Sequence, residues 1–449
     1  MTTRRPDIRE LRPDDDLDAE FDLQHRAFGP VPDAFRPDWM ASLQAAIGAG
    51  RVLGAFDGSR LVGSAAFHDM RQWWHGRSLP MAGVAGVKVA PEERGRGVGR
   101  MLMTDLLGVI AARGYPVSVL YPVTAPIYRS LGWEIAGALY ETLLPARSLG
   151  SLLPPDPALL PPDPVPLPPD PVPLPPDLPA PRPGAAPLPP GPAAPRRDAA
   201  LARAPAPPLR RAGPDDAAEV IAVTGRVHES ARDCGPATRD ADTVRRWLGS
   251  TDLYAYLAPD GFLAYGWDGP DRDIHVRTAL AGSAETTRAI WAVVASHASM
   301  ARSVRARLSP ADPVAWLTRE LDARQSARKA WMLRLVDAAA AISARGFPAA
   351  ADLSVTLRVQ DATRPANTGL HSLKVSGGHG TLTPFETARG PHLPSAAPVR
   401  LGARGLASLY AGVPMATLRR AGLAADGDPD ADGALDCAFA GPAFMLDAF

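Results

Sequence analysis

Cysteine is scarce in this 449-residue chain: Cys234 and Cys437 are its two, far apart and without a CxxC or Cys/His pattern. That excludes a disulfide framework or a zinc site, and both thiols are expected to be buried. No run of about 18 apolar residues occurs, and the opening "MTTRRPDIRELRPDDDLD" lacks the apolar region of a signal peptide, so a soluble, cytoplasmic protein with no membrane partner is expected. An excess of charge is missing as well. The 48 basic and 48 acidic residues cancel, which gives no general polyanion-binding surface and no nucleic-acid partner.

Several chemistries lack their signatures. His68, His75, His371, His379 and His392 show neither H-x3-H nor HExxH spacing, so no metal site is expected. A G-x-S-x-G elbow, a Walker lysine and a GxGxxG fingerprint are all absent. Trp73-Trp74-His75 reads either as packing beside a hairpin or as the lining of an acceptor pocket.

Proline, by contrast, is concentrated: residues 154 to 208 hold 24 of the 50, and "PPD" recurs at 154, 161, 168 and 175. Such a segment has a fixed φ and few N–H donors, so it is expected as an extended polyproline rod on the order of 70 Å long over its four repeats, at ~3.1 Å per residue. It serves as a spacer or as a docking segment for a proline-recognising partner.

The rod divides the chain. Residues 1–150 contain a hairpin signal at Asp57-Gly58, an apolar strand "MAGVAGVKVA", a Gly/Arg turn, and a helix on which Val98, Met101, Leu102, Leu106, Val109 and Ile110 share one face. "PVSVLYPV" then reads as another strand, giving an α/β layer. After a linker at 151–210, residues 211–330 repeat part of this order, with Gly213-Pro214-Asp215-Asp216 at a helix start and Asp260-Gly261 in the hairpin position. This is the pattern of a duplication whose second copy has lost the Gly/Arg turn. In residues 331–449, "WMLRLVD", "ADLSVTLRVQD" and "GLHSLKVSGG" read as strands or strand starts, followed by short helices, an α+β domain. The fold class expected is therefore α/β and α+β multidomain.

Most of the chemical information lies in "VKVAPEERGRGVGR", Val87 to Arg100. A strand runs through a glycine-rich turn into a helix, whose first N–H groups point outward unpaired and can hold an anion. Arg94, Arg96 and Arg100 suit a pyrophosphate better than a single carboxylate. This stretch resembles the acetyl-CoA loop of GCN5-related N-acetyltransferases (GNAT), with Arg94, Gly97 and Gly99 at its three fixed positions. "LYPVTAPIYRSLGW" is similar to the second half of the same signature. The degenerate second copy and the α+β tail together resemble the Eis (enhanced intracellular survival) family, whose third domain is sterol-carrier-protein-like.

The resemblance implies two GNAT folds in tandem and acetyl-CoA as co-substrate. Val87, Lys88 and Val89 would face the pantetheine arm, Gly95, Arg96, Gly97, Val98, Gly99 and Arg100 the pyrophosphate, and Val123 and Thr124 the thioester. It also implies Tyr128 as general acid and the carboxylate of Phe449 as general base, a primary amine of an aminoglycoside-like polyamine or a lysine as acceptor, and a homo-hexamer. The match at Tyr128 is incomplete, since Ser130 and Leu131 stand where the family often has Arg and Phe. An α-carboxylate with a pKa of roughly 3.5 is a poor base for an amine unless burial raises it. The apolar ending "AFMLDAF" offers that burial, with Asp447 as a like charge acting in the same direction. The alternatives are a non-catalytic carrier of apolar ligands and an acyltransferase for longer acyl-CoA.

Overall fold

The computed structural model describes residues 5–32, 35–153, 207–269, 273–318, 323–385 and 397–449. The expected proline rod and His392 lie outside these residues. The first run of elements is β1 (Asp7–Glu10), α1 (Leu17–Phe28), α2 (Arg36–Gly48), β2 (Val52–Asp57), β3 (Arg60–Trp74), β4 (Arg77–Val89), α3 (Val98–Ala112), β5 (Val117–Leu120), α4 (Ala125–Arg129) and β6 (Glu134–Pro145). The second is β7 (Arg210–Arg211), α5 (Ala217–Ala231), β8 (Cys234–Arg239), α6 (Ala241–Leu248), β9 (Tyr254–Ala258), β10 (Gly261–Asp268), β11 (Asp273–Ala281), α7 (Ala284–Ala295), β12 (Ser303–Arg307), α8 (Val314–Leu317) and β13 (Arg324–Leu335). The third is α9 (Ala338–Ala344), β14 (Leu353–Gln360), β15 (Gly369–Ser376), β16 (His379–Pro384), β17 (Val399–Gly402), α10 (Ala403–Tyr410), α11 (Met415–Arg420), β18 (Ala424–Ala425), α12 (Pro429–Ala438) and β19 (Phe444–Met445).

The duplication is visible in three dimensions: β2-β3-β4-α3-β5 and β9-β10-β11-α7-β12 follow the same order, each with its last two strands parallel. Both copies share a 14-stranded sheet of order β1-β2-β3-β4-β5-β13-β6-β12-β11-β10-β9-β7, with β19 and β8 attached to β6 and β3. The seam is β6, whose last residues, Glu141–Pro145, pair with β12 while β13 runs along its other edge.

The placement of β13 differs from the sequence reading, which assigned Trp331–Asp337 to the third domain. Trp331, Met332, Leu333 and Leu335 are each 0% exposed. A strand apolar on both faces needs cover on both, and the position between β5 and β6 supplies it. The third unit's own sheet has five strands, β16-β15-β14-β17-β18. Its core is continuous with the adjoining face of the large sheet, where Trp74, Met81 and Trp331 join Leu357, Leu406 and Tyr410. Within it lies Arg345, 0% exposed, its guanidinium between 4.5 and 5.5 Å from the ring centres of Trp74, Phe347, Tyr410 and Phe439. Trp73-Trp74-His75 is thus packing at its centre, because Trp74 is fully buried against Trp331 and Tyr410.

One expectation about the thiols fails. Cys234 is buried but Cys437 is exposed, because α12 turns Leu435 and Ala438 inward and leaves Cys437 facing solvent.

Candidate active site

The parallel pair β4/β5 is in register only from Met81–Val117 to Val84–Leu120. Beyond Val84, β4 carries on while the chain after β5 turns away into α4. On its other edge β4 pairs with β3, and there the register slips: Ser64 faces Lys88 and Ala66 faces Ala85, so β4 holds one extra residue at Gly86–Val87. Gly86 takes φ +60, a left-handed bulge conformation that side chains disfavour, and it is exposed. A bulge beside a splayed strand pair frees backbone N–H and C=O groups for a ligand. Val87 and Val89 are half-buried there, whereas the Lys88 side chain turns inward to Glu20 at 2.8 Å, both 6% exposed or less.

Past Pro91–Glu93 the chain makes an exposed turn and enters α3. Gly97 is the N-cap at φ 80, with no side-chain cap bond, so the first N–H groups of α3 stay open. A Cβ on Gly95 or Gly97 would meet nothing within 4 Å, so positive φ, not crowding, is what requires glycine there. Val98 anchors the turn by burying its side chain with Leu102 and Leu106. The second copy shows the contrast: at the start of α7, Ser283 accepts the Thr286 N–H at 3.2 Å. That copy has capped itself.

Tyr128 lies on α4, 7% exposed, in the same cluster as Ala82, Val84 and Leu120. Burial raises its pKa above the ordinary tyrosine value, which extends the protonated range of the phenol further into alkaline pH. The helix is held from below: Arg129 and Arg404 both donate to the buried Glu134, and Arg334 of β13 donates to Leu131 O at 3.0 Å. Arg334 is itself paired with Asp361 at 2.6 Å, both side chains 1% exposed.

The tail approaches from the opposite face of the sheet. β19 runs parallel to β6, and Ala443 bridges Cys234 of β8. Asp447 is then gripped by Arg239, which also donates to Ala448 O at 2.8 Å, and Tyr121 donates to Asp447 O at 2.6 Å. The Phe449 ring packs 5.5 Å from Tyr121, and a Cβ on Gly83 would lie 2.9 Å from it. Gly83 alternates with Ala82 and Val84, so Phe449 and Tyr128 sit on opposite faces of β4, whose pairing with β5 ends at Val84–Leu120.

Profiles described as acetyltransferase (GNAT) domains match residues 7–136 and 235–335, and a sterol carrier protein domain profile matches 338–446. The solved structure of a GCN5-related N-acetyltransferase from Kribbella flavida is 37% identical, with a TM-score of 0.81 and 99% of each chain covered. The chain belongs to the GCN5-related N-acetyltransferases. Within them it is Eis-like: it is 27% identical to N-acetyltransferase Eis of Mycobacterium tuberculosis over 413 residues, 88% of this chain and 87% of that relative. Eis1 from Mycobacterium abscessus shares the fold at a TM-score of 0.69 and 23% identity.

In this acetyltransferase the residues singled out by sequence fall in two parts: Arg94 to Gly97 form an exposed turn and Val98 to Arg100 the first residues of α3. Their charge is partly spoken for, since Arg96 pairs with Glu93 and Arg100 donates to Ser130 Oγ at 2.7 Å. Val123 is 83% exposed and Thr124 is the N-cap of α4. The role expected of Asp447, a like charge raising the terminal carboxylate, is not what the geometry gives: Arg239 neutralises it. Sequence reasoning missed Gly86, whose positive φ leaves no mark in a glycine-rich stretch, and missed a cavity of about 530 Å³ beside Leu446–Ala448, lined also by Arg239, His275, Arg277 and Arg307. The alternation in "DIHVRTALA" and "SVRAR" places His275, Arg277 and Arg307 on the side away from the buried residues, but not what they face. Among the described residues, no group of three or more His, Cys, Asp or Glu is placed to hold a metal, and no helix is long and apolar enough to cross a membrane.

Proposed function

We propose that the enzyme transfers the acetyl group directly from acetyl-CoA to a primary amine in a ternary complex, without an acyl-enzyme. The observation that carries this is the uncapped, glycine-led start of α3 beside the bulge of β4, present in the first copy and self-capped by Ser283 in the second. Acetyl-CoA supplies an acetyl carbon activated as a thioester. The Val87–Val89 backbone receives the pantetheine arm, Gly95–Arg100 the pyrophosphate, and Val123–Thr124 the thioester end.

The amine nitrogen attacks the acetyl carbon, the C–S bond breaks, and two proton movements complete the exchange. The carboxylate of Phe449, the last residue of this chain, accepts the amine proton, and the Tyr128 hydroxyl returns one to the departing sulfur. Support comes from Arg239 and Tyr121, which hold the tail at Asp447 and Ala448, and from the Tyr128 phenol, whose pKa burial shifts up, away from deprotonation. The resemblance implies polyamines or lysine side chains as acceptors and a homo-hexamer as the assembly. A carrier for apolar ligands has less support, because the third unit's core holds the Arg345 guanidinium with Trp74, Phe347, Tyr410 and Phe439 packed around it.

Calorimetric titration with acetyl-CoA, together with CoA release across an amine panel, tests the reading. Saturable binding and amine-dependent release are expected; binding of acetyl-CoA without release from any amine would refute transfer. Substituting propionyl- and octanoyl-CoA in the same assay decides the acyl length.

A further inference from the structure

The cavity beside the tail presents three guanidiniums, from Arg239, Arg277 and Arg307, against one carboxylate, that of Asp447. Arg239 and Asp447 pair with each other, which leaves the other two. Arg277 gives Nη2 to Asp252, whose side chain is 61% exposed, while its buried Nε–H has no partner among the described residues. The Arg307 side chain makes no hydrogen bond among the described residues: it forms only a long ion pair with Glu141 Oε1, 3.9 Å from Nε, and that Nε is buried. His275 Nε2, 3.8 Å from the same oxygen, is also buried without a hydrogen-bond partner among the described residues.

These three side chains project from one face of β11 and β12, because Ile274, Val276, Val304 and Ala306 alternate with them and fill the opposite face. A buried charged donor without an acceptor is costly, and a fold rarely leaves one unless something else completes it. Here, among the described residues, two guanidiniums each keep a buried Nε–H without an acceptor, and an imidazole nitrogen lacks a partner, on one cavity wall whose other side is the chain just before Phe449.

We propose that the acceptor amine carries an oxyanion, a carboxylate or a phosphate, which docks on Arg307, Arg277 and His275 while its amino group reaches the tail's end. This deepens the acetyl-transfer reading and rests on it. It departs from the polycationic acceptors implied by the family resemblance. A second ammonium in this cavity would meet two further guanidiniums and, as the carboxylate lining it, Asp447, which Arg239 already holds; like charges at such a surface select against a partner.

The test uses the full chain with acetyl-CoA and matched amines: 6-aminohexanoate against 6-aminohexanamide, O-phosphoethanolamine against ethanolamine, and 1,5-diaminopentane as the dication. The anionic member of at least one pair is expected to show kcat/KM about 10- to 100-fold higher, expressed in KM, as charge-assisted hydrogen bonds allow. The two pairs tell carboxylate from phosphate. In Arg307→Gln and Arg277→Gln that ratio should fall toward one, with acetyl-CoA binding as the control for folding. If Arg307→Gln does not fold, Arg277→Gln and competition by inorganic phosphate or glutarate against the amine carry the decision. Equal use of charged and neutral amines, preference for the dication, or an identical loss for every amine in the variants would each overturn the proposal. Transfer without anion preference sinks only this inference; no CoA release from any amine, with acetyl-CoA bound, sinks the transfer reading as well.

Discussion

Replacing Tyr128 with phenylalanine removes one hydroxyl from a ring that is 7% exposed and packed with Leu131 and Trp133. That hydroxyl makes no hydrogen bond to another described residue, so its loss strands no partner and should change stability by about 1 kcal/mol or less. If the hydroxyl delivers the proton to the leaving sulfur, kcat should fall by about 10²–10⁴. That is about 3–5 kcal/mol of barrier. The two magnitudes separate the roles, because a merely structural tyrosine would leave kcat intact. Steady-state CoA release gives kcat, urea unfolding gives stability, and calorimetry should show unaltered acetyl-CoA affinity. Tyr128→Phe with kcat within about threefold of wild type would remove this residue from the chemistry, since general-acid contributions are larger. The pH dependence adds a check with a fixed sign. Burial raises the folded-state pKa of the phenol, so its contribution to stability is complete below the ordinary value of about 10 and is lost as pH climbs through the folded value. The activity attributed to the protonated phenol should persist past pH ~10 for the same reason.

Appending residues after Phe449 should abolish turnover while acetyl-CoA still binds; an extended chain with wild-type kcat would discard the terminal carboxylate as base. Gly97→Val forces a β-branched residue to φ 80 in open space, a conformational cost of about 1–2 kcal/mol, and calorimetry should show acetyl-CoA binding weakened at least about tenfold. Arg334→Met leaves the buried Asp361 uncompensated and should cost about 3–5 kcal/mol by urea unfolding; a loss below about 1 kcal/mol would contradict the pairing. Asp447→Asn loosens the grip of Arg239 on the tail, and kcat should drop with little change in stability, because both side chains keep partial exposure, 23% and 31%.

The local elements were legible wherever short-range periodicity and turn chemistry decide them. The six apolar positions on α3, the hairpins at Asp57-Gly58 and Asp260-Gly261, and the Gly/Arg turn could be read because each depends on residues a few positions apart. Pairing between distant strands leaves no such local trace. Nothing within "WMLRLVD" says that its neighbours will be β5 and β6, although four residues buried on both faces do demand a central position. Charges behaved the same way: Asp447 looked unpaired in sequence because its partner, Arg239, is 208 positions away. The cavity wall of Arg277 and Arg307 was hidden by the neutral totals, since a balanced composition is silent about which charges lack a partner once folded.

The insertion of β13 between β5 and β6 also orders events in time. On the ribosome the first copy can form its hairpins and α3, yet two strand edges that should lie on either side of β13 stay open until residue 335 has been made. At 5–20 residues per second, the roughly 180 residues separating β6 from β13 take roughly 10–40 s to synthesise. Through that interval the unit that carries the glycine turn is an incomplete sheet with edges available for wrong pairing. A gene segment ending near residue 150 therefore lacks the strand that pairs with both β5 and β6, and the sheet of the first copy is closed only by residues made after the second.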